Sequence, residues 1–322
     1  MKVSGSMKKL PFKAVCIFGL LHSTALAGPV ATGLDSGATG AGFDQARRPI
    51  TNPTLFDLAI PTTNLHGIFL HHMLPDRISA GGASVPFGGD VQLYALQLEY
   101  ALSDRFSIVA TKDGYVDMNF DNPAFTDSTG FANLGGGVKY AWLLDPISRT
   151  AVSSSLTFEF PTGNSDVFQG EGKGLANMMV SGLKLVDDWQ FAGGAGLQVP
   201  FSDQQTTMGW VSAHASYEVS KWFIPMVEIN WFRVLDEGDG RGNFGEQLTG
   251  GVPGAVQFEG GDLFNLGATN ASDNPDFVSA ALGFRSRLTD DVTAGVAYEI
   301  PLTDQNASLM DSRITAGLTW KF

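Results

Sequence analysis

Cysteine is nearly absent: the single one, Cys16, lies in the first stretch of the chain, so no disulfide framework can hold the rest together. Charge is scarce as well, at 16% of 322 residues, and the balance is acidic, with 20 Lys and Arg against 33 Asp and Glu. A formal net charge of −13 argues against nucleic acid as a partner. Beyond the first stretch no run of 18 apolar residues occurs, which leaves no candidate for a transmembrane helix. A chain without helical spans can still cross a membrane, provided its strands close into a barrel with no unpaired edge.

What is plentiful is glycine, 39 residues, and aromatic side chains, 11%. That composition suits a curved sheet with an aromatic outer surface better than a helical enzyme. Residues 1–27 read as a cleavable signal peptide. Lys2, Lys8, Lys9 and Lys13 make the basic start, Ala14 to Leu21 the apolar centre, and Ala25-Leu26-Ala27 a small-x-small cleavage site. Loss of four lysines takes the net charge from −13 to −17. Residues 28–63 open Gly-rich and continue through Arg47-Arg-Pro-Ile-Thr-Asn-Pro, a periplasmic N-terminal linker in which Thr54 to Pro61 could dock into a barrel as a small plug.

From residue 64 onward the sequence alternates with a period of two in twelve segments. They are 64–73, 90–102, 105–119, 130–144, 150–161, 174–186, 189–200, 209–219, 222–235, 277–288, 291–301 and 312–322. The last is the cleanest: Ile314, Ala316, Leu318, Trp320 and Phe322 share one face, and Arg313, Thr315, Gly317, Thr319 and Lys321 the other. Connections alternate between short turns (Ser103-Asp104, Asp187-Asp188, Ser220-Lys221, Thr289-Asp290) and long loops such as 74–89 and 236–276. Aromatics gather beside the short turns, at Phe106, Tyr140, Trp142, Trp189, Trp222, Phe223, Trp320 and Phe322. The expected fold is all-β: a single transmembrane antiparallel up-and-down β-barrel of about twelve strands over 64–322, with short periplasmic turns and long extracellular loops.

The order Thr315, Gly317, Trp320, Phe322 resembles the C-terminal signal of Gram-negative outer-membrane β-barrels. The resemblance implies the barrel assembly machinery, outer-membrane lipid and lipopolysaccharide as partners. The twelve-strand outline with its Pro/Asn-rich lead-in also resembles the outer-membrane family associated with phenol and other aromatic degradation pathways. That likeness implies passive uptake of a small, hydrophobic solute, with no cofactor.

Assigning faces places Glu99, Lys112, Lys139, Glu159, Glu218, Glu228, Arg285, Arg287, Glu299, Arg313 and Lys321 on the lumen side. Such charges act as a constriction that sorts solutes or as a salt-bridged filling that satisfies itself. Twelve strands enclose a narrow lumen, and Gly135 to Gly137, Gly193, Gly194 and Gly196 would widen it locally. Loop 236–276 carries eight carboxylates against Arg241, a net of −7, and reads as a solvated acidic loop at the mouth. Its Asp236-Glu-Gly-Asp lacks calcium-loop spacing, and Gly170-Glu-Gly-Lys-Gly174 lacks that of a phosphate loop. No metal site is expected. Three functions follow in order: a channel or facilitator for a small solute, a structural or adhesive barrel acting through its loops, and a phospholipase-like hydrolase using His214 with Ser212 or Ser216. The expectation is of a non-enzymatic protein.

Overall fold

The computed structural model describes residues 42–322 except 246, 248–250, 305 and 307. The signal-peptide reading, Cys16 and most of the Gly-rich lead-in fall outside the described residues. Twelve wall strands close into one barrel: β1 (Asn64–Met73) pairs antiparallel with β16 (Ser312–Lys321) on one side and β4 (Gly89–Ser103) on the other. Around the wall run β8 (Leu134–Asp145), β9 (Thr150–Phe160), β10 (Leu175–Val186), β11 (Trp189–Pro200), β12 (Thr207–Tyr217), β13 (Ile224–Asp236), β14 (Asp276–Arg287) and β15 (Val292–Pro301), each hydrogen-bonded to the next. The twelfth position, beside β4, is shared by β5 (Phe106–Lys112), which also pairs with β8, and β6 (Tyr115–Phe120). Closure removes the edge, so no backbone row is left for lipid to satisfy.

Alternation sets the two environments. Along β10, Leu175, Asn177, Met179, Ser181, Leu183 and Leu185 are buried, and the residues between them face out. The outer surface carries Tyr94, Leu96, Tyr140, Trp142, Trp189, Trp222, Leu318 and Trp320, all large and exposed. This is the apolar band with aromatic girdle of an outer-membrane barrel, and the outer membrane is where such a surface is stable. Lys184, on the apolar face, bends back to the turn carbonyl of Ser148 and to Thr150 Oγ1.

Two expected strands are broken. The segment 105–119 divides into β5 (Phe106–Lys112) and β6 (Tyr115–Phe120), and 130–144 into β7 (Ser128–Phe131) and β8. β4 pairs with β6 from Gly89 to Tyr94 and with β5 from Leu98 on, so Ala95, Leu96 and Gln97 face the interruption. Gly114 causes it, since its φ of +130° lies where a side chain would clash. A Cβ there would stand 2.8 Å from the Tyr94 carbonyl oxygen. The Asp113 carboxylate substitutes for the missing ladder by accepting the Leu96 N–H at 2.9 Å.

The long loops are not a solvated fringe. The hairpin β2 (Arg77–Ala80) and β3 (Ala83–Pro86) packs with loop 237–275 and its single-turn helix α1 (Val252–Ala255). Phe87, Phe125, Phe168, Phe244, Phe258 and Phe264 are buried together in this lid. The acidic-loop expectation is corrected at two carboxylates. Glu259 is buried and accepts from Thr206 Oγ1, Leu266 N and Ala268 N. Asp262 reaches down to Arg313 on the barrel wall, 2.8 Å away. Apolar residues spaced through the loop outweigh its net charge, because they have a partner surface in the hairpin.

Candidate functional site: the lumen and its N-terminal segment

The inner wall should hold water or solute if the barrel were open. Instead residues 43–63 lie inside it. The segment rises from the periplasmic end, turns at Asn52 (φ +51°), whose carbonyl accepts from Leu55 N and Phe56 N, and descends to Asn64 at the start of β1. Phe56, Ile50, Leu55 and Ile60 are all buried. Their partners are inward apolar residues of the wall: Leu183 and Leu185 around Leu58 and Ile60, and Met179, Trp210 and Phe232 around Leu55.

Of the glycines expected to widen the lumen, Gly194 and Gly196 make room for this filling, whereas Gly135, Gly136, Gly137 and Gly193 adjoin only atoms of the wall. A Cβ on Gly194 would stand 3.2 Å from the Phe56 ring, and one on Gly196 2.4 Å from the Trp210 ring. Trp210 Nε1 in turn donates to the Leu55 carbonyl at 2.8 Å.

Seven of the eleven wall charges predicted from sequence are buried, Lys112, Glu218, Arg287 and Lys321 being half-buried, and most are spent on the segment or on one another. Lys139, wholly buried, donates to both Glu99 oxygens at 3.0 Å and bridges to Asp57 of the segment, which also pairs with Arg48 at 3.0 Å. Glu99 further accepts from Ser107 Oγ at 2.6 Å. Glu228 accepts from Ile50 N (2.9 Å), Thr51 N (2.7 Å) and Thr51 Oγ1 (2.5 Å). Glu218 is shared between Arg47 of the segment (3.2 Å) and Arg287 (2.9 Å). Gln190 brackets Arg47 like a strand partner, accepting from its N–H and donating to its carbonyl.

Five more wall charges are Lys112, Glu159, Glu299, Arg313 and Arg285, and Lys321 is half-buried at the end of β16. Glu159 accepts from Lys112 (2.6 Å) and Asn133 (2.8 Å). Glu299 takes Arg313 Nε and Nη2 at 2.9 and 2.7 Å, as their opposite register positions require. Arg285 gives only one bond, from Nη2 to the Pro49 carbonyl at 2.9 Å. Of Glu228, Arg285, Arg287, Glu299 and Arg313, only Glu299 and Arg313 form an ion pair with each other. Sequence faces located these charges, but their partners lie on a segment with no periodicity to register it.

Of the C-terminal signal residues, Thr315 and Gly317 face inward, with a His66 ring carbon 2.8 Å from where a Gly317 Cβ would sit. Trp320 and Phe322 face outward with ring centroids 5.2 Å apart.

The hydrolase expectation meets a specific geometry. Ser216 Oγ lies 2.9 Å from His214 Nε2, and His214 Nδ1 lies 2.7 Å from Glu228 Oε1. The three resemble a nucleophile, base and orienting acid in order. Ser216 is buried, however, and Glu228 is already saturated by Ile50 and Thr51. None of the principal cavities among the described residues is lined by Ser216.

Those cavities lie elsewhere, on the two sides of the wall interruption. Outside is a groove of about 1030 Å³ lined by Gly67, Phe69, Leu96, Tyr115, Ala294 and Ala316 among others. Inside, beneath the lid, is a void of about 30 Å³ lined by Pro53, Thr54, Leu93, Val116, Leu263 and Phe264 among others. Ile68, Ala95, Asp113 and Ala132 line both. The inner void has the size of about one water molecule, so the barrel is closed in this conformation.

No protein-family model matches the chain, and no curated protein does. Among solved structures, the COG4313 outer membrane channel from Pseudomonas putida F1 is similar over 81% of this chain and 96% of that one, with 14% identity and a TM-score of 0.57. The β domain of the Bordetella autotransporter BrkA aligns with 81% of this chain and all of that one, at 12% identity and a TM-score of 0.47. The NanC porin aligns over 81% and 100%, at 9% identity and a TM-score of 0.45. The first of these supports the closed outer-membrane barrel fold.

Proposed function

We propose that the protein is a passive outer-membrane facilitator for a small, predominantly apolar solute. Such a solute would cross the wall at the interruption beside Gly114 rather than follow a water-filled axis. One observation carries the reading: the outer groove and the inner void meet across Ile68, Ala95, Asp113 and Ala132, where the strand ladder is already broken. The linings on both sides are mostly apolar, and most of the lumen's charges are paired with the N-terminal segment or with one another. The likeness to an outer membrane channel is in keeping with this. No ATP or cofactor enters the scheme, because movement down a gradient needs neither.

The inner void is too small for any organic solute, so passage requires the turn at Pro53-Thr54 to shift. Ala95→Phe tests the route, since the added ring would occupy the junction. Expected is loss of apolar-solute flux into proteoliposomes with unchanged heat-modifiable gel migration. Flux equal to wild type in a folded Ala95→Phe barrel would rule the side passage out.

A further inference from the structure

Among the described residues, the buried lumen cations each meet a carboxylate except Arg285, although Arg47 and Arg48 also leave their Nε without a partner. Arg313, Lys139 and Arg48 each meet a carboxylate within 3.0 Å. Arg285 is as deeply buried, yet its Nε and Nη1 have no hydrogen-bond partner. Its aliphatic stem lies over Gly295, beside Ile50, which fixes the guanidinium against the segment where Pro49 takes its one bonded nitrogen. Glu228 on the neighbouring strand β13 attracts it, but that carboxylate's oxygens are taken by Ile50, Thr51 and His214. Arg47 and Arg48 add positive charge from the segment. Arg287 and Arg285 together act on Lys321, at the end of β16.

An enclosed guanidinium with two vacant donors among like charges is costly unless something negative completes it. We propose that the periplasmic half of the lumen holds a seat for a small monovalent anion of chloride size, formed by Nε and Nη1 of Arg285 within the field of Arg47, Arg48, Arg287 and Lys321. The anion completes the packing against the N-terminal segment by supplying the acceptor that Arg285 lacks beside Pro49. It also gives this end of the lumen a preference opposite to the chain's overall acidity. The inference does not depend on which solute the barrel passes.

Bromide is the probe. Crystals of the full chain soaked in sodium bromide are expected to show an anomalous peak beside the Arg285 guanidinium, and Arg285→Gln is expected to lose it. In solution, replacing gluconate by chloride at constant ionic strength should raise the temperature of heat-modifiable unfolding in wild type and leave Arg285→Gln unmoved. Water alone beside Arg285 in the soaked wild-type crystal overturns the proposal, and that reading needs no variant to fold. A peak unaccompanied by any chloride dependence in solution overturns it too, as an adventitious ion only.

Discussion

At the scale of single residues, the lumen is governed by what happens to a buried charge when its partner leaves. Lys139 stands between Glu99 and Asp57, and all three are enclosed. Lys139→Met fits the volume but strands two carboxylates, and breaking such a pair costs about 3–5 kcal/mol. The expected outcome is a clear fall in heat-modifiable unfolding temperature, read by gel shift against wild type; no fall would mean that the network adds nothing. Glu228→Ala removes the acceptor for Ile50 N, Thr51 N and Thr51 Oγ1 together. It should expose the segment to limited proteolysis near Asn52 while the barrel strands stay protected. The same substitution dismantles the Ser216–His214–Glu228 chain, and solute flux is expected to survive His214→Ala.

At the scale of elements, the lid has an electrostatic handle. Burial pushes the Glu259 carboxyl above its ordinary range, although Thr206, Ala268 and Leu266 donate to its charged form. A raised pKa means that the folded lid holds this proton more tightly than the unfolded chain does. Its contribution therefore favours the lid at low pH and is withdrawn as pH rises through the raised value. Amide exchange across 256–268, corrected for intrinsic rates, should accelerate from pH 5 to pH 8, and Glu259→Gln should flatten that trend. The strands themselves were legible in sequence because a two-sided environment writes a period of two. Ile314 to Phe322 against Arg313 to Lys321 is such a record. The lid was not, since Phe244, Phe258 and Phe264 follow no period and find one another only after the barrel brings the loops together. The break at Gly114 was hidden as well, because a single positive φ leaves the alternation on either side intact.

At the scale of the whole molecule, the barrel is filled by its own lead-in, over a longer stretch than the Thr54 to Pro61 that the sequence offered as a small plug. The sequence held a second indication: inward positions on β10, β12 and β13 carry Leu183, Leu185, Trp210 and Met226, too apolar for a wetted wall. Those residues serve an apolar partner: Leu55 to Ile60 meets Leu183, Leu185 and Trp210, and Ile50 meets Met226. The closed state and the proposed side passage are then two settings of one part. The segment that seals the axis also floors the inner void at Pro53 and Thr54, so its position decides whether a solute can reach the break in the wall.

Locking that segment tests the account most directly. Phe56 lies against Gly194, with a Gly194 Cβ only 3.2 Å from its ring, and cleavage at the predicted site would leave no native cysteine to interfere. A Phe56→Cys/Gly194→Cys chain, oxidised and shown by mass to be cross-linked, would be compared with its reduced form for apolar-solute flux into proteoliposomes. The account predicts that oxidation abolishes flux and that reductant restores it. Equal flux in the cross-linked and reduced barrels would contradict it, because passage would then proceed with the segment held in place.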